Sequence, residues 1–215
     1  MTARSHHTSI WLVRHGQTEA NRHRRYLGRG DSPLTDYGRR QHAALARRLR
    51  ALPFTRVIVS PTERTRALAA AILNGRSPIL MYEDPRWCEI DHGRWEGLTY
   101  REVMQRFPAE AQARWAAGID GRPAEGESLA DVADRLAPAW DEVLTHYPGE
   151  RILIVTHATP IQLVICWCCR QPIAEHWRWR VDLGSITALD TYGTTIIVRT
   201  VNAVPQLVGG GGESV

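Results

Sequence analysis

The sequence contains no lysine: its 27 lysine-plus-arginine residues are all arginine. That excludes Schiff-base and pyridoxal chemistry and a Walker-type phosphate loop, each of which needs a lysine. Arginine is left as the binder of anionic groups, and it pairs bidentately with phosphate oxygens. No apolar run approaches the roughly 20 residues of a membrane span. The segment Ile10 to Val13 is too short for the apolar core of a signal peptide. No membrane partner is expected, and the chain is expected to be cytoplasmic. Cysteine is scarce, and Cys166, Cys168 and Cys169 fall in one apolar run, with Cys88 apart. No second pair or histidine follows at zinc spacing. No metal site or cofactor is therefore expected, and the thiols read as buried groups in a reducing compartment.

What is present suits one folded unit. Hydrophobic residues make up 43% of the 215-residue chain and charged residues 23%, enough for a core without the composition of a disordered chain. The expected domain covers residues 1–208, and the Gly-rich segment 209–215 is expected to be disordered. The first eight residues are expected to be disordered too.

Short apolar runs read as strands at Ser9 to Val13, Thr55 to Ser60, Pro78 to Tyr82 and Arg151 to Thr156, near-continuous enough for a sheet covered on both faces. Two more, about Thr187 to Asp190 and Thr195 to Val201, flank Tyr192-Gly193 and read as a hairpin. Helical patterns lie between. Asp36 to Leu52 carries Leu45, Leu49 and Leu52 on one stripe. Thr62 to Leu73 follows Ser60-Pro61. Ser128 and Asp131 resemble a capping box before the apolar face Leu129, Val132, Leu136, Trp140, Val143 and Tyr147. Thr159 to Cys169 has Pro160 in its first turn. Alternating strands and helices predict a three-layer α/β/α fold with a mainly parallel central sheet, whose ligands bind beyond the carboxyl ends of the strands.

Two histidines stand at such ends. The first strand runs into Arg14-His15-Gly16 and the fourth into His157. If both strands are central and parallel, both imidazoles open into one crevice. Arg64, just after the strand ending at Ser60, can be aimed there as well. Glu89 lies in Arg86-Trp-Cys-Glu-Ile-Asp-His-Gly-Arg-Trp-Glu-Gly97, an aromatic loop of the kind that carries function. An acid beside phosphate-binding cations suits a proton donor to a leaving alkoxide.

The run Leu12-Val-Arg-His-Gly-Gln-Thr-Glu-Ala-Asn21 resembles the signature of the histidine phosphatase, or phosphoglycerate mutase-like, superfamily. The likeness continues in order through Arg25-Tyr-Leu-Gly28, Asp31 to Thr35, Ser60 to Arg64, Glu89 to Gly97, Gly126 to Ser128 and Val155 to His157. It implies a phosphoglycerate mutase-like fold and a covalent mechanism. His15 would attack phosphorus with one ring nitrogen while a backbone carbonyl holds the other. Arg14, Arg64 and His157 would neutralise the equatorial oxygens. Asn21 and the Ala158 N–H would add hydrogen bonds, and Glu89 would move protons. Neighbouring cations would keep His15 neutral. Gly16, Arg25, Leu27 and Gly28 would complete the substrate mouth, and His92 would meet the leaving group or be an ordinary loop histidine.

The run Glu89-Ile-Asp-His-Gly93 and the His-x-x-Pro turn from His157 resemble the phosphatase branch, including metal-independent phosphoserine phosphatases and α-ribazole phosphatases. A hydrolase of small phosphorylated metabolites is favoured over a mutase. Phosphoserine, a phosphoglycerate, α-ribazole phosphate and a sugar phosphate stay open as substrates. An inactive phospho-ligand binder is the non-enzymatic alternative. Nucleic acid is not expected as a partner: Arg22 to Arg25 and Arg39-Arg40 are basic, but no aromatics interleave them and the net charge is only +4. Trp167, Trp177 and Trp179 suit either a core or a homodimer interface.

Overall fold

The computed structural model describes residues 7–207. A six-stranded sheet runs in the order β3-β2-β4-β1-β5-β6. Its strands are β1 (Thr8–Arg14), β2 (Arg56–Val59), β3 (Leu80–Glu83), β4 (Arg151–Thr156), β5 (Ile186–Tyr192) and β6 (Thr195–Ala203). β3, β2, β4 and β1 are mutually parallel, while β5 and β6 form an antiparallel hairpin on the β1 side. The helices are α1 (Glu19–Arg22), α2 (Asp36–Leu49), α3 (Glu63–Leu73), α4 (Tyr100–Arg106), α5 (Pro108–Ala116), α6 (Leu129–His146) and α7 (Ala158–Cys168).

The three layers follow from the two-residue period of a strand. Ile10, Leu12, Ile58, Ile152 and Ile154 join a core with Val132, Leu136, Trp140 and Val143 of α6 and Ile161 and Ile165 of α7. Their alternates, Trp11, Val13, Val57, Val59, Leu153 and Val155, pack with Leu45 and Leu49 of α2 and Leu68 and Ile72 of α3. The expected fold class holds, because central strands apolar on both faces demand helices on both sides.

Several boundaries differ from expectation. β1 begins at Thr8, so the expected disorder of the first eight residues does not extend to it, and His7 stacks on Tyr192. Residues 1–6 and the expected tail 209–215 lie outside the described residues. The first long helix stops at Leu49 rather than Leu52. Arg76 explains the stop, since its guanidinium donates to the Leu49 and Leu52 carbonyls and satisfies chain-end acceptors that a longer helix would use itself. β3 is not covered on both faces: Leu80 and Met81 are 59% and 50% exposed at the sheet edge. Of the clustered thiols, Cys166 is buried and Cys168 half-buried, but Cys169 is exposed just past the end of α7. The Ser128 capping box is formed, with Ser128 accepting from the Asp131 N–H and Asp131 accepting from the Ser128 N–H and hydroxyl.

Residues 85–128 leave the sheet as a separate covering segment. Its small core is Trp95, Val103 and Ala111, with Tyr26, Leu98, Met104 and Phe107 packed against it. It joins the main body through Trp87 and Ile90, which lie in the core with α6 and α7, and through Arg25, which donates to the Gly97 carbonyl and to Glu102.

Candidate active site

β1 and β4 are parallel neighbours in register, Arg14 facing Thr156. The residues that follow them, His15 and His157, therefore emerge side by side. Their ring centroids are 5.2 Å apart, and they are 3% and 0% exposed. The turn after β1 is fixed by backbone bonds on both sides, from the His15 N–H to the Thr156 carbonyl and from the Gly184 N–H to the His15 carbonyl.

His15 is fixed in one tautomer. Its Nδ1 lies 2.8 Å from the Gly16 carbonyl, an acceptor only, so Nδ1 carries the hydrogen and Nε2 keeps a lone pair. Nε2 faces Arg64, whose Nε donates to it at 3.3 Å. Burial pushes the His15 pKa well below its ordinary value, and the charges of Arg64 and Arg14 push it further down. The imidazole is thus neutral, with a bare nitrogen beside a buried cation.

Arg64 is 1% exposed and sits in the first turn of α3. It donates to the Gly28 carbonyl at 2.6 Å and the Gly30 carbonyl at 2.7 Å. Its bonds toward the crevice are longer, 3.3 Å to His15 and 3.4 Å to His157 Nδ1. Because Arg64 donates to Nδ1 of His157, the hydrogen of that ring is on Nε2, which donates to Ser60 Oγ at 2.8 Å. Burial, followed by the charge of Arg64, holds the His157 pKa well below its ordinary value. In the free protein His157 is thus held neutral, accepting from Arg64 and donating to Ser60. Arg14 donates to the Val181 carbonyl at 2.6 Å, and its Nε is buried without a partner.

Glu89 reaches the same place from the covering segment. Its carboxylate accepts from the N–H groups of Ile90 (2.9 Å), Ala158 (3.1 Å) and Thr159 (3.3 Å). The last two are free donors at the start of α7, where helix geometry and dipole favour an anion. The Ala158 N–H, expected to bind phosphate, is thus engaged by Glu89 in the free protein. Electrostatics agree with this closeness: the Glu89 charge opposes the burial-driven fall in the pKa of both Arg14 and Arg64.

The other expected substrate contacts have structural partners. Asn21 closes a capping box with Thr18, accepting from its N–H and hydroxyl. The Gly16 N–H donates to His42 Nε2 at 2.9 Å, and the Gly28 N–H donates to Glu96 at 2.7 Å. A Cβ on Gly16 would come within 2.7 Å of the Gly38 carbonyl, so glycine is required there for close approach. Leu27 and Arg25 line an outer depression with Tyr26, beside but not in the histidine pair. The His92 ring lies 4.8 Å from that of Tyr26, tilted by 55°, and lines a cavity that also reaches Thr159.

Two supporting residues escaped the sequence reading. Arg135 of α6 donates to the carbonyls of Arg86 and Glu89, at 2.7 and 3.0 Å, and so holds the acid's loop. His42 of α2, its pKa lowered by burial to about 4, accepts the Gly16 N–H. Each stands on a helix whose periodicity marks only the apolar positions, so a polar residue reaching back to a loop leaves no pattern. Among the described residues, no group of three His, Cys, Asp or Glu side chains is arranged to hold a metal ion, and no helix is long and apolar enough to cross a membrane.

A neutral, oriented imidazole with an unprotonated nitrogen, flanked by the buried guanidinium of Arg64 and the half-buried one of Arg14, a second histidine and a carboxylate, defines a phosphoryl-handling α/β protein. Residues 10–204 match the histidine phosphatase superfamily (branch 1), and the chain belongs to that superfamily. The Bifunctional protein Rv2228c of Mycobacterium tuberculosis is 36% identical over 208 residues, covering 95% of this chain and 56% of that protein. This chain therefore spans only about half the length of that relative. The adenosylcobalamin/alpha-ribazole phosphatase of Salmonella typhimurium is 33% identical over 195 residues, covering 90% of this chain and 96% of that one. Among solved structures, a putative alpha-ribazole-5'-P phosphatase from Escherichia coli superposes with a TM-score of 0.86 at 28% identity, covering 92% of this chain and 97% of that one.

Proposed function

We propose that this protein hydrolyses small phosphate monoesters through a phosphohistidine on His15, without a metal ion. The observation that carries the reading is the single-tautomer imidazole, whose Nδ1 donates to the Gly16 carbonyl and whose unprotonated Nε2 faces Arg64. The phosphatase names borne by relatives support it.

In the proposed reaction the Nε2 lone pair of His15 attacks phosphorus, and the bond from phosphorus to the alcohol oxygen breaks. Arg14 and Arg64 hold the charge on the equatorial oxygens. The phosphate replaces the two long contacts of Arg64, and its charge favours protonation of His157, which then becomes a donor. The phosphate also takes the Ala158 N–H from Glu89. Once freed from the Ala158 N–H and protonated from solvent, Glu89 delivers its proton to the leaving oxygen, then takes one from the water that attacks phosphorus, and the phosphorus–nitrogen bond breaks. The arginines supply the positive charge that a metal provides elsewhere, which is why the reaction is proposed to run without one.

His92, next to this centre, supports a leaving group of moderate size, with phosphoserine or a similar carboxylated monoester as the preferred substrate. The test is a panel of phosphoserine, 3-phosphoglycerate, α-ribazole phosphate, a sugar phosphate and p-nitrophenyl phosphate, assayed with EDTA. Turnover with EDTA, and a protein-bound phosphate labile to acid and stable to base, are expected. Loss of all turnover with EDTA and its return with magnesium would overturn the metal-independent mechanism.

A further inference from the structure

Glycine at position 16 solves one problem at the His15 turn and creates another. Its lack of a side chain lets the turn lie against Gly38 and His42. The same lack frees the peptide planes on either side of it to rotate. One of those planes decides whether His15 can react. The Gly16 carbonyl accepts from His15 Nδ1 and so leaves Nε2 unprotonated. If that plane turned over, the Gln17 N–H would point at Nδ1 instead. Nδ1 would then accept, the ring hydrogen would move to Nε2, and the attacking lone pair would be gone.

Side chains at the start of α2 hold both planes. The plane between His15 and Gly16 is held by the Gly184 N–H, which donates to the His15 carbonyl, and by His42 Nε2, which accepts the Gly16 N–H. The plane between Gly16 and Gln17 has its carbonyl on His15 and its N–H on Gln41 Oε1, at 2.8 Å. The next carbonyl, that of Gln17, accepts from the Thr35 N–H at 3.0 Å. Thr35, Gly38, Gln41 and His42 are all buried.

Gln41 does more than hold one plane. Its Nε2 donates to the Leu183 carbonyl at 2.7 Å. Leu183 belongs to the turn that leads into β5, and the same turn holds Arg14 through the Val181 carbonyl. Gly184, at a φ of +72°, packs directly on the Gln41 side chain, which a Cβ there would approach to 3.1 Å. One buried amide therefore ties the turn of the nucleophile to the turn that holds a phosphate-binding arginine. Only a group with both an acceptor and a donor can make these two bonds.

We propose that Gln41 is a positioning residue: through the Gln17 N–H and the Leu183 carbonyl it keeps the Gly16 carbonyl on His15 Nδ1, and so keeps the attacking nitrogen unprotonated and aligned with Arg14. The proposal rests on the reading of His15 as nucleophile given above. Gln41 touches no reacting atom, so its effect falls on the rate at which the phosphorus–nitrogen bond forms, not on binding of the leaving alcohol.

The rate of phosphohistidine formation from p-nitrophenyl phosphate is measured between about pH 5 and about pH 8, a span that covers a raised carboxyl pKa. Gln41→Met keeps the length of the side chain but neither bond. It should lower that rate by about 10- to 100-fold, the loss expected where buried groups are left unpaired, with KM changed far less. The 15N spectrum of its His15 should show the second tautomer. Gln41→Glu keeps the acceptor, but its carboxylate has no hydrogen for the Leu183 carbonyl. Its rate relative to the unaltered protein should be low at the alkaline end and rise toward the acid end, where the carboxyl takes up a proton and becomes a donor. The charged and titratable groups around the two turns, Arg14, Arg64, His42, Glu89 and Asp182, are common to both proteins, so their own titration cancels in that ratio. An unchanged rate in Gln41→Met, or a Gln41→Glu ratio that does not vary with pH, overturns the role of Gln41. So does a loss of rate that only follows the unfolded fraction, read by circular dichroism at each pH. Absence of labelling in the unaltered protein sinks the reading of His15 instead.

Discussion

The end of the sheet and the covering segment are built in opposite ways. At the sheet end, His15, Arg64 and His157 are each nearly or fully buried, and backbone groups or neighbouring side chains fix every one of them. In the covering segment, among the described residues, Arg114 forms no ion pair and a polar ring atom of His92 has no partner. Apart from Arg14 Nε, which has no partner, the first region is closed by internal bonds and is already shaped for one chemical act. The second leaves bonds to be made by whatever enters. Such a division lets one phosphoryl-transfer centre serve different alcohols through changes in a segment that does not carry the sheet.

Breaking the sheet end should have the largest effects. His15→Ala should abolish acid-labile phosphate labelling and lower turnover by about 10⁴-fold or more, as loss of a covalent nucleophile does. Full labelling of that variant would remove His15 from its role. Glu89→Gln should lower turnover of an alkyl ester by about 10²–10⁴-fold, the range of a general acid-base group. With p-nitrophenyl phosphate, whose leaving group needs little protonation, the same variant should still label and accumulate phosphoprotein.

Stability draws the same contrast. Gly16→Ala would press a methyl group against the Gly38 carbonyl and His42 at the sheet end. It should cost about 1–3 kcal/mol in urea unfolding, the usual range for overpacking, and should disable the His15 turn as well. Trp95→Ala, at the centre of the covering segment's small core, should cost about 3–5 kcal/mol. Its distinguishing sign is local: proteolysis should begin within residues 85–128 before the sheet is cut. Simultaneous cleavage of both regions would show that they do not differ in this way.

Acid should act on the sheet end too. Burial depresses the pKa values of His15 and His157 well below 6.5 and that of His42 to about 4. Unfolding therefore takes up protons below pH 6.5, and the stability these groups contribute is present above that value and lost as the pH falls. Each adds a slope of up to about 1.4 kcal/mol per pH unit, His42 over the window from 6.5 to about 4. His42→Gln keeps an acceptor for the Gly16 N–H but no titration, so its unfolding midpoint should fall less steeply with acid. A slope equal to that of the unaltered protein would remove His42 from this account. The smallest effect belongs to the covering segment: His92→Ala should raise KM for phosphoserine several-fold more than for p-nitrophenyl phosphate.

The same division explains what could be read from residues alone. Strand ends are legible, because a short apolar run flanked by Arg14-His15 or Thr156-His157 has both a period and a direction, and parallel neighbours bring their ends together. Arg64 follows from the strand-to-helix junction at Ser60. Asn21 and Ala158 were expected at the phosphate only through the family resemblance. The structure gives the first to a capping box with Thr18 and the second to Glu89, choices between equally suitable partners that no period encodes. Arg114 and His176 were invisible for another reason. They line one cavity from segments far apart in the chain, a placement set by how α5 and the turn at Ile173–Arg178 lie.

The strand order carries a consequence for how the chain is made. β1 precedes the other strands, yet its parallel partner β4 begins only at Arg151 and its antiparallel partner β5 at Ile186. During translation β1 stays unpaired along both edges, with Trp11, Leu12 and Val13 uncovered, until most of the chain has left the ribosome. Such long-range closure is intrinsically slow. The nascent protein should therefore hold no complete phosphate pocket, and should depend most on chaperones, until β4 has emerged and His157 can join His15.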